Sequence, residues 1–215
     1  AAALLYTQVA AMTTSQVAAI ETADLTKLTT AQIGALTAAQ IKSLTTGQIA
    51  ALSSTQVQGL KATQVAAFAT DQIANLSTSN TQALTSAQIK ALTTAQLDAM
   101  STAQIAVLDT ADVAALSANQ IKSLSTASIV ALTTGQAAAL LYTQVAAMTT
   151  GQVAALETAD LAKLASAQIG ALTAAQIKSL TTAQIAALSS TQVQSLKATQ
   201  VSALATDQIA KLGTA

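Results

Sequence analysis

Leu180-Thr181-Thr182-Ala183-Gln184-Ile185-Ala186-Ala187-Leu188 states the rule of the whole chain, because the same eight-residue phrase recurs with small variations from one end to the other. Taking Thr181 as a helix N-cap makes Thr182, Ala183 and Gln184 the first three helical residues and Ile185 the fourth. A cap hydroxyl then accepts from the Gln184 amide while the Gln side chain reaches back to the cap amide, the reciprocal capping box. Leu180 and Ile185 occupy the two positions of a hydrophobic staple, one apolar side chain outside the helix closing on one in its second turn. Ala186 and Ala187 extend the helix with high propensity, and Leu188 ends it and opens the next octad.

Two other folds fit the phrase less well. In one continuous helix, at about 3.6 residues per turn, an eight-residue step rotates the apolar stripe by roughly 80° each time, so the stripe winds round the rod instead of facing a partner. In a β-solenoid, Ala and Gln are poor strand residues, and apolar steps of five and three break the alternation a strand needs. The expected fold class is therefore all-α: a solenoid, or superhelix, of very short capped helices, one per eight-residue repeat. Such helices are too short to stand alone in water, so stacking against neighbouring repeats must stabilise them.

The Leu slot runs from Leu4 to Leu212, 27 times, with only Met12, Ile20, Phe68, Met100 and Met148 as exceptions. The staple slot runs from Val9 to Ile209 and departs from Ile, Val or Leu only at Thr81 and Ala137. The third helical position is Gln at 21 of 26 places, with Asp24, Asn80, Asp112, Ser128 and Asp160 as substitutes. Charges avoid the Leu slot, the staple slot and the first helical slot, which defines an inside.

A longer period overlies the octad. Residues 137–215 repeat residues 1–79 with 12 differences. The offset of 136 residues, 17 octads, makes residues 1–215 a single octapeptide-repeat solenoid in which 1–136 is one unit and 137–215 a partial second copy. An odd number of octads would exchange inner and outer repeats if these alternated, so each octad is expected to be equivalent under one screw operation. Two places depart from the rule. Around Asn80 and Thr81 the octad lacks both Gln and an apolar staple residue, which predicts a bend or fraying point. At Ala137 the staple residue shrinks while Leu141 and Tyr142 arrive in the next octad, which predicts compensation by bulkier packing in preference to a Tyr-based binding site.

Composition excludes several classes of function. Nine Lys balance nine acidic residues, with no Arg or His, and the Lys are spaced singly. Nucleic acid and anionic membranes both need clustered cations, so neither is an expected partner. No stretch approaches the roughly 18 apolar residues of a membrane span, so membrane insertion is not expected. Cys is absent, which removes disulfides and thiol ligands and leaves the compartment open. The N-terminus carries no signal-peptide pattern and begins within the array, as an excised segment would.

Candidate chemistry is thin. Glu21 with Asp24, Asp109 with Asp112, and Glu157 with Asp160 each pair an acid at the cap with one at the third helical position. Two such carboxylates could act as an acid/base pair or hold a divalent ion. The structural reading is stronger: a carboxylate at a helix start caps the chain and is favoured by its dipole. Lys61 and Lys197 occupy the same cap slot, just past the previous helix's C-terminus, where a cation is favoured. Without His or Cys no nucleophilic triad can be built, and the seven Gly are scattered instead of forming a phosphate loop. No catalytic, cofactor-binding or metal site is expected, no cofactor, and no enzyme activity. Asn75-Leu76-Ser77 is a formal glycosylation sequon of weak specificity. The first helical slot holds 16 Thr and four Ser among 27, which could form a hydroxyl ladder facing ice or a crystalline polysaccharide; the plainer reading packs the Thr between turns.

The phrase Leu-[Ser/Thr]-x-x-Gln-[Ile/Val]-x-x-Leu resembles octapeptide tracts of very large bacterial surface or secreted proteins, often labelled haemagglutinin-like, haem-utilisation or RTX-type adhesins. The resemblance implies an extracellular or cell-surface location and a spacer, scaffold or stalk presenting other domains; the absence of His speaks against a haem role. The alternative is a binding module whose repeated Thr/Gln face takes ice, a polysaccharide or a protein.

Overall fold

The computed structural model describes residues 3–212. Its 26 described helices span four to six residues each, from Tyr6–Ala10 to Thr206–Ile209, and no strand occurs among the described residues. The chain divides into two compact units, Ala1–Leu108 and Asp109–Ala215, with thirteen helices in each.

Most octads fold by the same local steps. In the reference octad the helix is Thr182–Ala186, and its cap Thr181 is extended at φ −72° and ψ 159°. The Thr181 Oγ1 accepts from the Gln184 N–H at 3.1 Å, and the Thr181 N–H donates to Gln184 Oε1 at 2.8 Å. The preceding Leu180 is also extended, at φ −64° and ψ 142°, and its N–H bonds the Ile177 carbonyl at 3.2 Å. Two consecutive extended residues thus make the corner between helices, and no glycine is needed to turn it.

Within each unit a helix packs against the third helix further along: Tyr6–Ala10 against Thr30–Ala35 in the first, Ala118–Ser123 against Tyr142–Ala147 in the second. Side-chain bonds reach one helix further. The Gln40 amide nitrogen donates to the Met12 carbonyl at 2.6 Å and the Gln152 amide to the Leu124 carbonyl at 2.7 Å, both 28 residues back. Since 28 residues are three and a half octads, one turn of the solenoid lies between three and four octads. Like slots on successive turns are therefore staggered by half an octad. The staple slot is the innermost, with Ile41, Ile89, Ile121 and Ile177 wholly buried, and the Leu slot closes the core beside it, as Leu44 and Leu124 do.

The substitutions at Asn80 and Thr81 do not break the array. Their helix, Thr78–Gln82, keeps its Ser77 cap, and both residues are buried. Asn80 Nδ2 donates to the Leu52 carbonyl at 2.6 Å, and the Thr81 hydroxyl donates to the Ser77 carbonyl at 2.9 Å. The polar replacements are satisfied internally, and the helix and its cap are kept at the place where the sequence predicts a bend or fraying point. The expectation at Ala137 is also corrected. Ala137 is buried, but Leu141 and Tyr142 are 49% and 61% exposed, so they do not pack into the space left by the smaller residue. Both lie in surface slots, and bulk there cannot compensate for bulk lost in the staple slot.

Candidate functional site

The most constant polar residue is the Gln of the third helical position, and its side chain has two tasks. Its Oε1 accepts from the cap amide whatever the cap residue is: from Thr149 at 2.8 Å, but also from Lys61 at 2.6 Å, Ala69 at 2.7 Å and Leu141 at 2.6 Å. The hydroxyl half of the reciprocal pair can be dispensed with; the Gln half persists. Its Nε2 points the other way, into the end of a helix one turn back. Gln152 Nε2 meets the Leu124, Ile121 and Lys122 carbonyls at 2.7, 2.9 and 3.3 Å. Gln72 repeats this in the first unit with Leu44, Ile41 and Lys42 at 2.6, 3.2 and 3.3 Å. Carbonyls at a helix C-terminus lack an intrahelical donor, and the Gln amide of the next turn supplies one. These glutamines are buried, so their amides are occupied by the fold and turned away from solvent.

Sequence reasoning treated the Gln as half of a capping box and missed the second task. The signal was present: a capping box accepts Glu as readily as Gln, yet Glu never enters this slot. Only Gln offers an acceptor for the cap amide and a donor for the carbonyls behind it.

The three acid pairs behave differently from their expected role as caps. Glu21, Asp109 and Glu157 make no side-chain cap hydrogen bond. A cap side chain is constrained by its length and by the neighbouring turn, and none of these carboxylates swings onto its own helix start. Asp24 lies 3.7 Å from the Lys27 ammonium, whereas Asp112 and Asp160 are buried. No group of three or more His, Cys, Asp or Glu that could hold a metal occurs among the described residues. Lys61 and Lys197 are exposed, each giving its backbone N–H to the Gln of its octad.

The hydroxyl face does not form a ladder of like on like. Gly59, 29 residues beyond Thr30, is so close that an added Cβ would lie 2.9 Å from the Thr30 Cβ. The Thr110 and Thr126 methyls lie similarly against the Gly135 and Gly151 positions, 25 residues on. Thr methyls therefore pack between turns, and the half-octad stagger sets each first-slot Thr against different slots of the next turn. Ser166 donates across the same seam to the Thr191 carbonyl at 3.3 Å.

Two other surface features lie outside these seams. A cleft of about 440 Å³ in the first unit is lined largely by alanine methyls, among them Ala38, Ala39, Ala66 and Ala67, with Lys42 and Thr70 beside them. Asn75 of the formal sequon is exposed and donates its side-chain amide to the Asp71 carbonyl at 2.8 Å. No described helix is long and apolar enough to cross a membrane.

The family model of the ALTTAQ repeat matches the chain at residues 17–54, 46–78, 82–110, 105–141, 153–190 and 182–214. Its namesake phrase stands intact at Ala91-Leu92-Thr93-Thr94-Ala95-Gln96. A comparison with curated proteins finds none that matches. Six matches over most of its length make this chain a member of the ALTTAQ repeat family.

Proposed function

We propose that the segment is a structural repeat serving as a spacer, scaffold or stalk within a larger bacterial surface or secreted, adhesin-like protein, and that it works outside the cell or at its surface. The observation that carries this reading is the use of the glutamine amides. Each turn spends its most regular polar group on the open carbonyls of the turn behind it, as Gln72 does on Leu44 and Gln152 on Leu124. Most added octads bring the same capped helix, the same core slots and the same glutamine bond backwards, so length can be set by counting repeats. The chemistry of a spacer is satisfied within the array, and no concentration of reactive groups is required.

The test is a series of chains containing increasing numbers of octads, measured by small-angle X-ray scattering on the monodisperse peak. A spacer lengthens in proportion to octad number at constant cross-section. A radius of gyration that levels off as octads are added overturns the proposal. A second reading, recognition of ice or a polysaccharide, draws support from the exposure of Thr94, Thr102 and Thr110 in the first helical slot. Ice-shaping or polysaccharide retention by the folded chain, lost on replacing these threonines by Ser, is the result expected of that reading.

A further inference from the structure

We propose that Asp160 and the carbonyl oxygens of Ile129, Val130 and Leu132 form a binding site for a hard divalent cation of the calcium class. Asp160 holds the slot that Gln fills in the flanking octads, at the third position of helix Thr158–Lys163, and it is 1% exposed. Its Oδ2 is buried and has no hydrogen-bond partner.

What the slot faces is fixed by its neighbours. Gln152 donates to carbonyls 28, 30 and 31 residues back, those of Leu124, Lys122 and Ile121. Gln176 does the same to Met148, Ala146 and Val145, at 2.6, 3.3 and 3.2 Å. The same offsets from Asp160 give Leu132, Val130 and Ile129. Around Gln152 and Gln176 three carbonyl oxygens converge on one nitrogen, and the same register sets the Ile129, Val130 and Leu132 carbonyls opposite the Asp160 slot. Asn80, equal to Asp in length and shape, reaches the Leu52 carbonyl from this slot at 2.6 Å, so the shorter side chain spans the gap.

A carboxyl oxygen facing carbonyl oxygens needs a proton or a cation between them, because buried polar groups without partners are costly, and the calcium titration below distinguishes the two. These carbonyls belong to the C-terminal end of helix Thr126–Val130 and the corner after it, where cations are favoured. The donor set is oxygen alone, which selects a hard cation over zinc or copper. Glu157 is exposed at the cap of the same helix, three residues before Asp160, and makes no cap bond, so it is the nearest further carboxylate in the sequence that a cation there could draw on. With main-chain carbonyls predominating and few charges, the expected dissociation constant is about 10⁻⁴ to 10⁻³ M, the range of weak extracellular calcium modules.

The experiment uses the full chain, freed of metal by chelation, with amide hydrogen exchange read at Thr158–Lys163 during titration with calcium chloride. A control titration uses sodium chloride at matched ionic strength. With calcium at ten to a hundred times its dissociation constant, exchange there is expected to slow by about ten- to a hundredfold. Asp160→Gln restores the residue of most octads and is expected to fold, to lose the calcium response and to be protected without metal. Glu157→Gln is expected to weaken the response without abolishing it. The proposal is overturned if calcium leaves exchange at this helix unchanged, if sodium has the same effect, or if the response survives intact in Asp160→Gln.

Discussion

Replacing Gln152 by Ala isolates the bond that joins one turn to the next. Gln152 is 2% exposed; it accepts from Thr149 N–H at 2.8 Å and gives its amide to Leu124 and Ile121 at 2.7 and 2.9 Å. The proper reference is Gln16, which is exposed and makes the same local bond, from Thr13 N–H at 2.8 Å, while its own amide bonds no carbonyl of another turn. Removing a capping side chain costs about 1 kcal/mol, so Gln16→Ala should lose about that much. Gln152→Ala loses the same and also strands the Leu124 carbonyl away from water, at about 1 to 1.5 kcal/mol, whereas the Ile121 carbonyl keeps its bond from the Leu124 N–H at 3.2 Å. The expected cost is about 2 to 2.5 kcal/mol, and the difference between the two variants is the inter-turn part.

Urea unfolding followed by circular dichroism at the helical band gives the global cost. In a quasi-one-dimensional array a local weakness can uncouple neighbouring segments. Hydrogen exchange at Thr150–Ala155 and at the Leu124 end of the preceding turn therefore reads the local cost. If both substitutions cost the same within about 0.5 kcal/mol, the turn-to-turn amide bond contributes nothing net and the glutamines do not hold the turns together.

Further substitutions probe other parts of the same geometry. Gly59→Ala forces a Cβ to 2.9 Å from Thr30 Cβ and should destabilise by about 1 to 3 kcal/mol, with the clash relieved in the Thr30→Gly, Gly59→Ala double variant, which removes that Cβ. By contrast, Gly47→Ala meets nothing nearer than the Thr45 hydroxyl at 3.9 Å and should raise the unfolding midpoint, since Ala exceeds Gly in helix propensity by about 1 kcal/mol. Thr81→Val replaces a fully buried hydroxyl, whose one bond is to Ser77, by a methyl in a slot otherwise apolar, and should stabilise by about 1 kcal/mol in thermal unfolding. Ile169→Ala, at a wholly buried site, should cost about 2 to 5 kcal/mol in urea titration, whereas Val201→Ala, 40% exposed in the same slot, should cost under about 1.

The parts of the fold legible in the sequence are those closed within eight residues. The Thr181 cap, the return of Gln184 to it and the burial of Leu180 and Ile185 depend on backbone positions a few bonds apart, so residue type and spacing determine them. The number of octads in a turn does not follow in this way. It is the accumulated result of corner angles such as those at Leu180 and Thr181, repeated several times before two turns meet, and a few degrees at each corner change it. The surface exposure of Leu141 and Tyr142 belongs to the same class, because which slots face outward depends on how turns stack.

The stagger of half an octad explains why one residue type had to be so constant. Were a turn a whole number of octads, like slots would stack, and a hydroxyl or an apolar residue could be repeated along each seam. With three and a half, the third helical slot of one turn falls on the Leu corner of the turn behind, where the Leu124 and Leu44 carbonyls stand without helical donors. The residue there must accept from its own cap and donate to that corner; Asn80, one methylene shorter, keeps the donation to Leu52 while its Oδ1 takes the Ser54 hydroxyl instead of the cap amide. Asp160 meets the length requirement and lacks the donor, so the same geometry that makes Gln nearly invariant makes Asp160 the place where something else must carry the positive charge.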